Sequence, residues 1–262
     1  MDALNHLDFL KDSLINEHHR SDGRSFSDSR PIRITEKCFK EGQSSSLFSL
    51  GKTIIATKIV ATPQPIAPSF NVVINRSAVS LVSGKGGVDQ TLSAFITVLV
   101  NKLLPMSELE IARPDPHNPF HSNIKIWGWN LKFYQTIISD DGGVEVASVL
   151  GIQNTLQNLE LPDYNLDDEA KLVDAGTSHK INILSLYAKN FSILTDVCDP
   201  ENDDVHKIIL VDPTSDEEKV AFGCCTAVYS NEEKPKLLVF NTTGKFAITE
   251  KRLDYISKVS TR

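Results

Sequence analysis

The 262 residues carry a formal net charge of −7, with 40% hydrophobic and 23% charged residues, the balance of an ordinary globular chain. That length suffices for one large α/β domain or two packed halves, and that charge argues against a free-standing basic nucleic-acid binder, though not against local basic patches. Cys38, Cys198, Cys224 and Cys225 form no CxxC pair and read as reduced, buried thiols. No stretch reaches the ~18 apolar residues of a membrane span, and the acids within Met1–Glu17 speak against a signal peptide.

Leu4, Leu7, Leu10 and Leu14 predict a short amphipathic helix, with Asp8, Lys11 and Asp12 on its outer side. A polar segment from His18 to Arg30 follows. Ile32, Ile34 and Cys38 alternate as a strand, and Ser46–Leu50 and Thr53–Ala61 form a hairpin about Gly51-Lys52. After the prolines at 63, 65 and 68, two strands are expected, Phe70–Ile74 and Ala78–Val82. A helix from Asp89 to Leu104 then puts Leu92, Phe95, Leu99 and Leu103 on one side. Residues 113–121 hold three prolines and read as a loop. Trp127, Trp129, Leu131, Phe133 and Ile137 share one face of a long strand. The turn Asp140-Asp141-Gly142-Gly143 leads into a helix marked by Val149, Ile152, Leu156 and Leu159, expected to stop at Pro162. Residues 165–174 read as an exposed acidic stretch. Strands are expected at 181–188, 191–194, 208–211, 220–229 and 237–240, with a closing helix over 250–259. Such long strand runs with two well-separated helices indicate an α/β fold with mixed sheets.

Three constellations could carry chemistry. Ser83–Thr91 follows a strand and opens a helix, as a phosphate-binding loop does, and its glycines would let backbone N–H groups wrap a phosphate. Gln90 stands where the lysine of such a loop belongs, so the charge that balances a triphosphate is absent. A P-loop nucleotide-binding regulator using Gly84–Thr91 is nevertheless the alternative from a different class. His117 and His121 have a helical metal-ligand spacing, but Pro116 and Pro119 forbid the helix; no metal site is expected. Asp212, Asp216, Glu217 and Glu218 cluster after a strand. They could serve a magnesium ion or acid–base chemistry, or Asp216–Glu218 could be a solvated turn or helix start.

Four segments, in this order, resemble the RNase PH family, and within it the ring subunits of the eukaryotic RNA exosome. Arg20-Ser21-Asp22-Gly23-Arg24, with Arg30 beyond, looks like the family's Arg-x-Asp-Gly-Arg opening. Ser45–Leu47 through Leu50-Gly51-Lys52-Thr53 resembles its Leu-Gly-x-Thr hairpin. Trp127–Ser148 is similar to its strand, Asp-Gly turn and second helix. Leu210–Glu218 looks like the Val-Asp-Pro-Thr-x-x-Glu-Glu signature of the non-phosphorolytic branch. With the hairpin it resembles the ring components numbered seven, eight and nine, and the short N-terminal helix and Arg-x-Asp-Gly-Arg spacing look most like eight.

The resemblance implies an RNase PH-like (ribosomal protein S5 domain 2-like) α/β fold of mixed sheets flanked by helices, in two βαβα-like halves. It also implies residues 1–30 as an N-terminal segment and 31–262 as one domain. It implies a place in a heterohexameric ring through which RNA is threaded, beside other RNase PH-like subunits, S1/KH-type cap subunits and a hydrolytic nuclease. The expected setting is RNA and rRNA processing in the nucleus, nucleolus and cytoplasm, with no membrane and no cofactor. Active relatives hold phosphate with an arginine at the second helix start, where they read Asp-Gly-Gly-Thr-Arg; this chain reads Asp141-Gly142-Gly143-Val144-Glu145. A carboxylate in place of a guanidinium turns bidentate attraction into repulsion. Val144, Glu145, Asp212 and Glu218 therefore mark a degenerate site, and a non-catalytic ring subunit is expected. A phosphorolytic 3′–5′ exoribonuclease remains the alternative within the family, if a partner supplies arginines. Arg76, Lys85 and Arg113 are the RNA-contact candidates.

Overall fold

The computed structural model describes residues 3–77, 87–112, 126–167, 171–194, 208–244 and 256. The long strand that organises the molecule is β7 (Trp127–Ser139), whose Trp129, Leu131, Phe133 and Ile137 are buried while Lys132 and Tyr134 face out. It pairs antiparallel with β3 (Thr53–Gln64) and parallel with β4 (Ser69–Arg76). The sheet extends through β2 (Ser44–Leu50) to β1 (Ile32–Glu36) on one side and to β5 (Gly87–Val88) on the other. A short β6 (Glu110–Ala112) also pairs with β7. The parallel β4–β7 pairing makes this seven-stranded sheet mixed, as expected.

Two helices cover its inner face. In α2 (Gln90–Leu103), Leu92, Ile96, Leu99, Val100 and Leu103 are buried, and the Asp89 side chain accepts the Leu92 N–H as N-cap. In α3 (Val144–Gln157), Val149, Ile152 and Leu156 enter the same core. Gly151 lets this helix press onto the sheet, since a Cβ there would lie 3.2 Å from Thr57 Oγ1. Buried hydroxyls line the same contact: Ser44 donates to the Thr155 carbonyl at 2.7 Å, and Ser46 and Thr155 share a hydrogen bond of 2.6 Å.

Beyond α2 and α3 lies a four-stranded antiparallel sheet in the order β11 (Ile209–Val211), β10 (Leu186–Ile193), β12 (Gly223–Ser230), β13 (Leu237–Gly244). Leu186, Ala188 and Val228 point back into the main core. On the far side, Leu10 and Leu14 of α1 (Ala3–Ile15) cluster with Leu194, Ile208 and Leu210, and α1 packs on α4 (Ser215–Val220). The layers therefore alternate as sheet, helices, sheet, helices, which is the two-halved α/β arrangement expected. Arg20 and Arg30 hydrogen-bond to Glu217, Val211 and Asp212 of the second half.

Several boundaries differ from expectation. Helix α3 ends at Asn158, whose N–H reaches back to Asn154 and Leu156, and Pro162 lies inside a strand instead of stopping the helix. Within the stretch read as exposed and acidic, 165–166 and 172–174 belong to two paired strands, β8 (Glu160–Leu166) and β9 (Leu172–Lys180). The strands expected at 181–188 and 191–194 are one continuous β10, and 181–185 precede it. The strand at 78–82, the loop over 113–121 with His117 and His121, and the closing helix except Ile256 lie outside the described residues.

Candidate functional site

The four segments singled out in the sequence converge on one corner, where the turn after β7 meets α4. The first contributes arginines. Arg20, with no exposed surface, grips Glu217 with Nε and Nη2 at 2.9 and 2.7 Å and donates to the carbonyls of Val211 and Asp212. Arg30 holds Asp212 from both sides, Nε to Oδ2 at 2.9 Å and Nη2 to Oδ1 at 2.6 Å, while its own N–H reaches Oδ2 at 2.6 Å. Burial alone would lower the Arg30 pKa, but the Asp212 contact and the charges of Asp141 and Glu218 keep it above the ordinary arginine value. Arg24 adds a third cation, 3.3 Å from Asp212 Oδ2.

The hairpin contributes Thr53. Its hydroxyl accepts the Asp141 N–H at 2.9 Å and donates to the Gly142 carbonyl at 2.7 Å, pinning the turn. Gly142 and Gly143 both have left-handed backbones, and a Cβ on Gly142 would lie 2.6 Å from the Pro213 carbonyl. The last segment supplies a capping box. Glu217 bonds the Thr214 N–H, and Thr214 Oγ1 accepts from the Glu217 N–H, which starts α4 directly under the turn. Of the two readings of Asp216–Glu218, a solvated turn or a helix start, the structure shows the helix start, with Glu217 fully buried and Asp216 and Glu218 half-buried.

A cleft of about 460 Å³ opens beside this corner, between the start of α3 and the smaller sheet. Asp140, Glu145, Glu218, Asn190, Thr226 and Asn241 line it, with Lys219 the one cation among its described lining residues. Lys219 is itself paired with Asp216 at 2.7 Å. The Gly143 N–H, which opens α3, is bonded to Glu218 Oε1 at 2.9 Å; Asn190 Nδ2 donates to the same oxygen at 2.8 Å. A side-chain carboxylate therefore occupies the anion position that a helix N-terminus creates. Burial pushes the Glu218 carboxyl up to about 6 and Asp140 adds to the rise, against the pull of the Gly143 N–H, Asn190 and Arg30. Glu145 stands in the first turn of α3 and accepts from Asn241 Nδ2 at 2.6 Å. Burial raises the two thiols beside the cleft as well, Cys224 to about 11 and Cys225 to about 12, which keeps both as inert thiols at neutral pH.

Of the residues marked as a degenerate site, the structure brings Glu145 and Glu218 to one cleft. Val144 packs its methyl groups against the main core. Asp212 sits beneath the cleft with its carboxylate enclosed by Arg30 and Arg24. Among the described residues no cluster of metal-ligating side chains is present. Arg76 is ion-paired with Asp89 at 2.7 Å and with Asp140. Lys85 and Arg113 lie outside the described residues. Asp89 also bears on the loop over Gly84–Thr91, because its carboxylate already caps α2 where a nucleotide phosphate would have to sit. Asn190 and Asn241 were not singled out from the sequence. A polar residue midway along an apolar strand was the signal available for Asn190.

No family model matches the chain. It is 22% identical over 255 residues to the exosome complex component Rrp42 of Archaeoglobus fulgidus, covering 95% of this chain and 89% of that protein. Among solved structures it superposes on a chain of the Archaeoglobus fulgidus exosome with RNA bound to the active site, at TM-score 0.73 and 18% identity over 98% of this chain and 95% of that one. An archaeal exosome core chain gives TM-score 0.70 at 19% identity, over 98% and 93% of the two chains. Rice (Oryza sativa) Rrp46 gives 0.63 at 14%, over 92% of each. The chain thus has the RNase PH-like fold of these exosome chains from end to end, which bears out the resemblance drawn from the four segments.

Proposed function

We propose that this chain is a ring subunit of an RNA exosome that acts by position and surface and carries no phosphorolytic activity of its own. The full-length likeness to exosome ring chains supports the first part. One observation carries the second: Glu218 accepts the Gly143 N–H at the start of α3, with Glu145 and Asp140 lining the same cleft. A phosphate brought to that helix end would meet carboxylates where it needs cations. Each pair of unit negative charges about 4 Å apart costs about 4 kcal/mol at an effective dielectric near 20. The guanidiniums of Arg20 and Arg30, which could have reversed this balance, are committed to Glu217 and Asp212.

In this reading the subunit closes the ring with RNase PH-like neighbours, supports cap subunits and an attached nuclease, and works in nuclear, nucleolar and cytoplasmic RNA processing. The test has two arms. Affinity purification of the tagged chain from its source cell is expected to recover six ring-type proteins, the tagged chain included, and three cap-type proteins in equal amounts; recovery of the chain alone refutes ring membership. The purified chain, given a single-stranded RNA and inorganic phosphate, is expected to release no nucleoside diphosphate. Phosphate-dependent shortening of the RNA by the chain refutes the catalytic part.

A further inference from the structure

The outer face of the seven-stranded sheet, opposite α2 and α3, is covered by no helix among the described residues. The turn after β1 rises over it and forms a second cleft, of about 610 Å³. Phe39 and Tyr134, 44% and 37% exposed, are its aromatic surfaces, and Asn75 and Thr136, opposite each other on β4 and β7, put an amide and a hydroxyl on its floor. Lys40 and Lys58 complete the lining. Lys58 is paired with Tyr134 across β3 and β7, and its Nζ lies 5.7 Å from the ring centroid. Lys132, two residues before Tyr134 on β7, projects from the same face. Among the described lining residues the one carboxylate is Glu41, 88% exposed and 3.4 Å from Lys58. In a chain of net charge −7, this is a local concentration of positive charge around two exposed rings.

Exposed aromatic rings flanked by lysines match single-stranded nucleic acid, whose bases stack on the rings while its phosphates meet the cations. Amide and hydroxyl groups on the floor can bond a base edge, and the volume falls in the usual range for small-molecule sites. The geometry points to a binding site for one or two nucleotides of single-stranded RNA on this outer sheet face. In it a base lies against Tyr134 or Phe39 and the adjoining phosphates lie on Lys58, Lys40 and Lys132. The inference rests on the ring-subunit reading for the choice of RNA as the polymer. An acidic peptide would use the same lysines but would gain nothing specific from stacking.

The experiment is fluorescence anisotropy of a short fluorescein-labelled oligoadenylate with the full chain at low salt. Tyr134→Ala is expected to weaken binding roughly 5- to 100-fold, as loss of one stacked base does. Lys40→Glu, at an exposed position outside the core, is expected to weaken it and to shrink the salt slope by about 0.7 for each phosphate left without its cation. No binding by the wild-type chain, or equal binding by both variants, overturns the site. So does displacement by polyglutamate of a ligand whose affinity ignores Tyr134, which makes the face an acidic-peptide site. If the wild-type chain ignores RNA and Lys40→Glu abolishes co-purification of ring proteins, the face is a subunit contact; the site falls and the ring reading stands. Tyr134-dependent RNA binding by a chain that brings down no ring proteins does the reverse.

Discussion

Replacing Glu218 by glutamine should make the protein more stable at neutral pH. The Glu218 pKa in the fold is about 6, above its ordinary 4.5, with burial the main cause and the Asp140 charge next. A raised carboxylate pKa means that the folded state holds its proton more tightly than the unfolded chain does. The fold is therefore favoured below pH 4.5 and loses that advantage as pH rises through 6, a difference of roughly 2 kcal/mol by pH 7. Glutamine removes the charge but keeps an oxygen for the Gly143 N–H and Asn190, although a neutral acceptor bonds them less strongly. The net expectation is a gain of about 1–2 kcal/mol at pH 7 that vanishes near pH 4. Urea unfolding of both proteins at the two pH values measures it; at roughly 2–4 °C per kcal/mol for a chain of this size, thermal melts see it too. A Glu218→Gln protein less stable than wild type at pH 7, or a gap that does not change with pH, would refute the electrostatic account of this corner.

The adjacent position should behave oppositely. Glu217→Gln leaves the fully buried Arg20 guanidinium without its anion and is expected to lose about 3–5 kcal/mol in the same urea assay. Asp212→Ala strips Arg30 of its partner and puts alanine at φ +48, so a loss of about 4–6 kcal/mol is expected. Asp212→Asn, which tolerates that backbone and keeps one acceptor, should lose clearly less; equal losses would dismiss the backbone contribution. Mg–ATP should leave the melting temperature unchanged, because Asp89 occupies the start of α2. Binding at 100 times Kd would add about 2.7 kcal/mol and be plain in a thermal shift.

What could be read from the sequence was what local spacing encodes. The alternation in β7 and the 3.6-residue spacing in α2 and α3 report one buried face each, and these elements appear where expected. The β8–β9 hairpin escaped because almost every residue of β9 is exposed, so no apolar face announces a strand. Pro162 misled for a related reason: proline is permitted in a two-stranded hairpin, where one side of each strand has no neighbour to bond. Strand β10 looked broken because Lys189-Asn190 interrupts its apolar run, yet Asn190 is buried, holding Glu218 and the Phe191 N–H. The acidic run at 216–218 was legible as chemistry but not as packing. Nothing nearby in sequence reveals that Glu217 will meet a guanidinium 197 residues earlier in the chain.

That separation sets an order of events during synthesis. Arg20 and Arg30 find their carboxylates 197 and 182 residues further on. At roughly 5–20 residues per second, the arginine segment waits about ten to forty seconds on the ribosome before its partners emerge. During that interval the large sheet with α2 and α3 has all its strands in hand, while α1 and the arginine segment have nothing to fold onto. The segment around Arg20 and Arg30, made early, is thus among the last parts to settle, and a chain stalled before Glu217 would hold the large sheet with its strands complete and Arg20 without its buried anion.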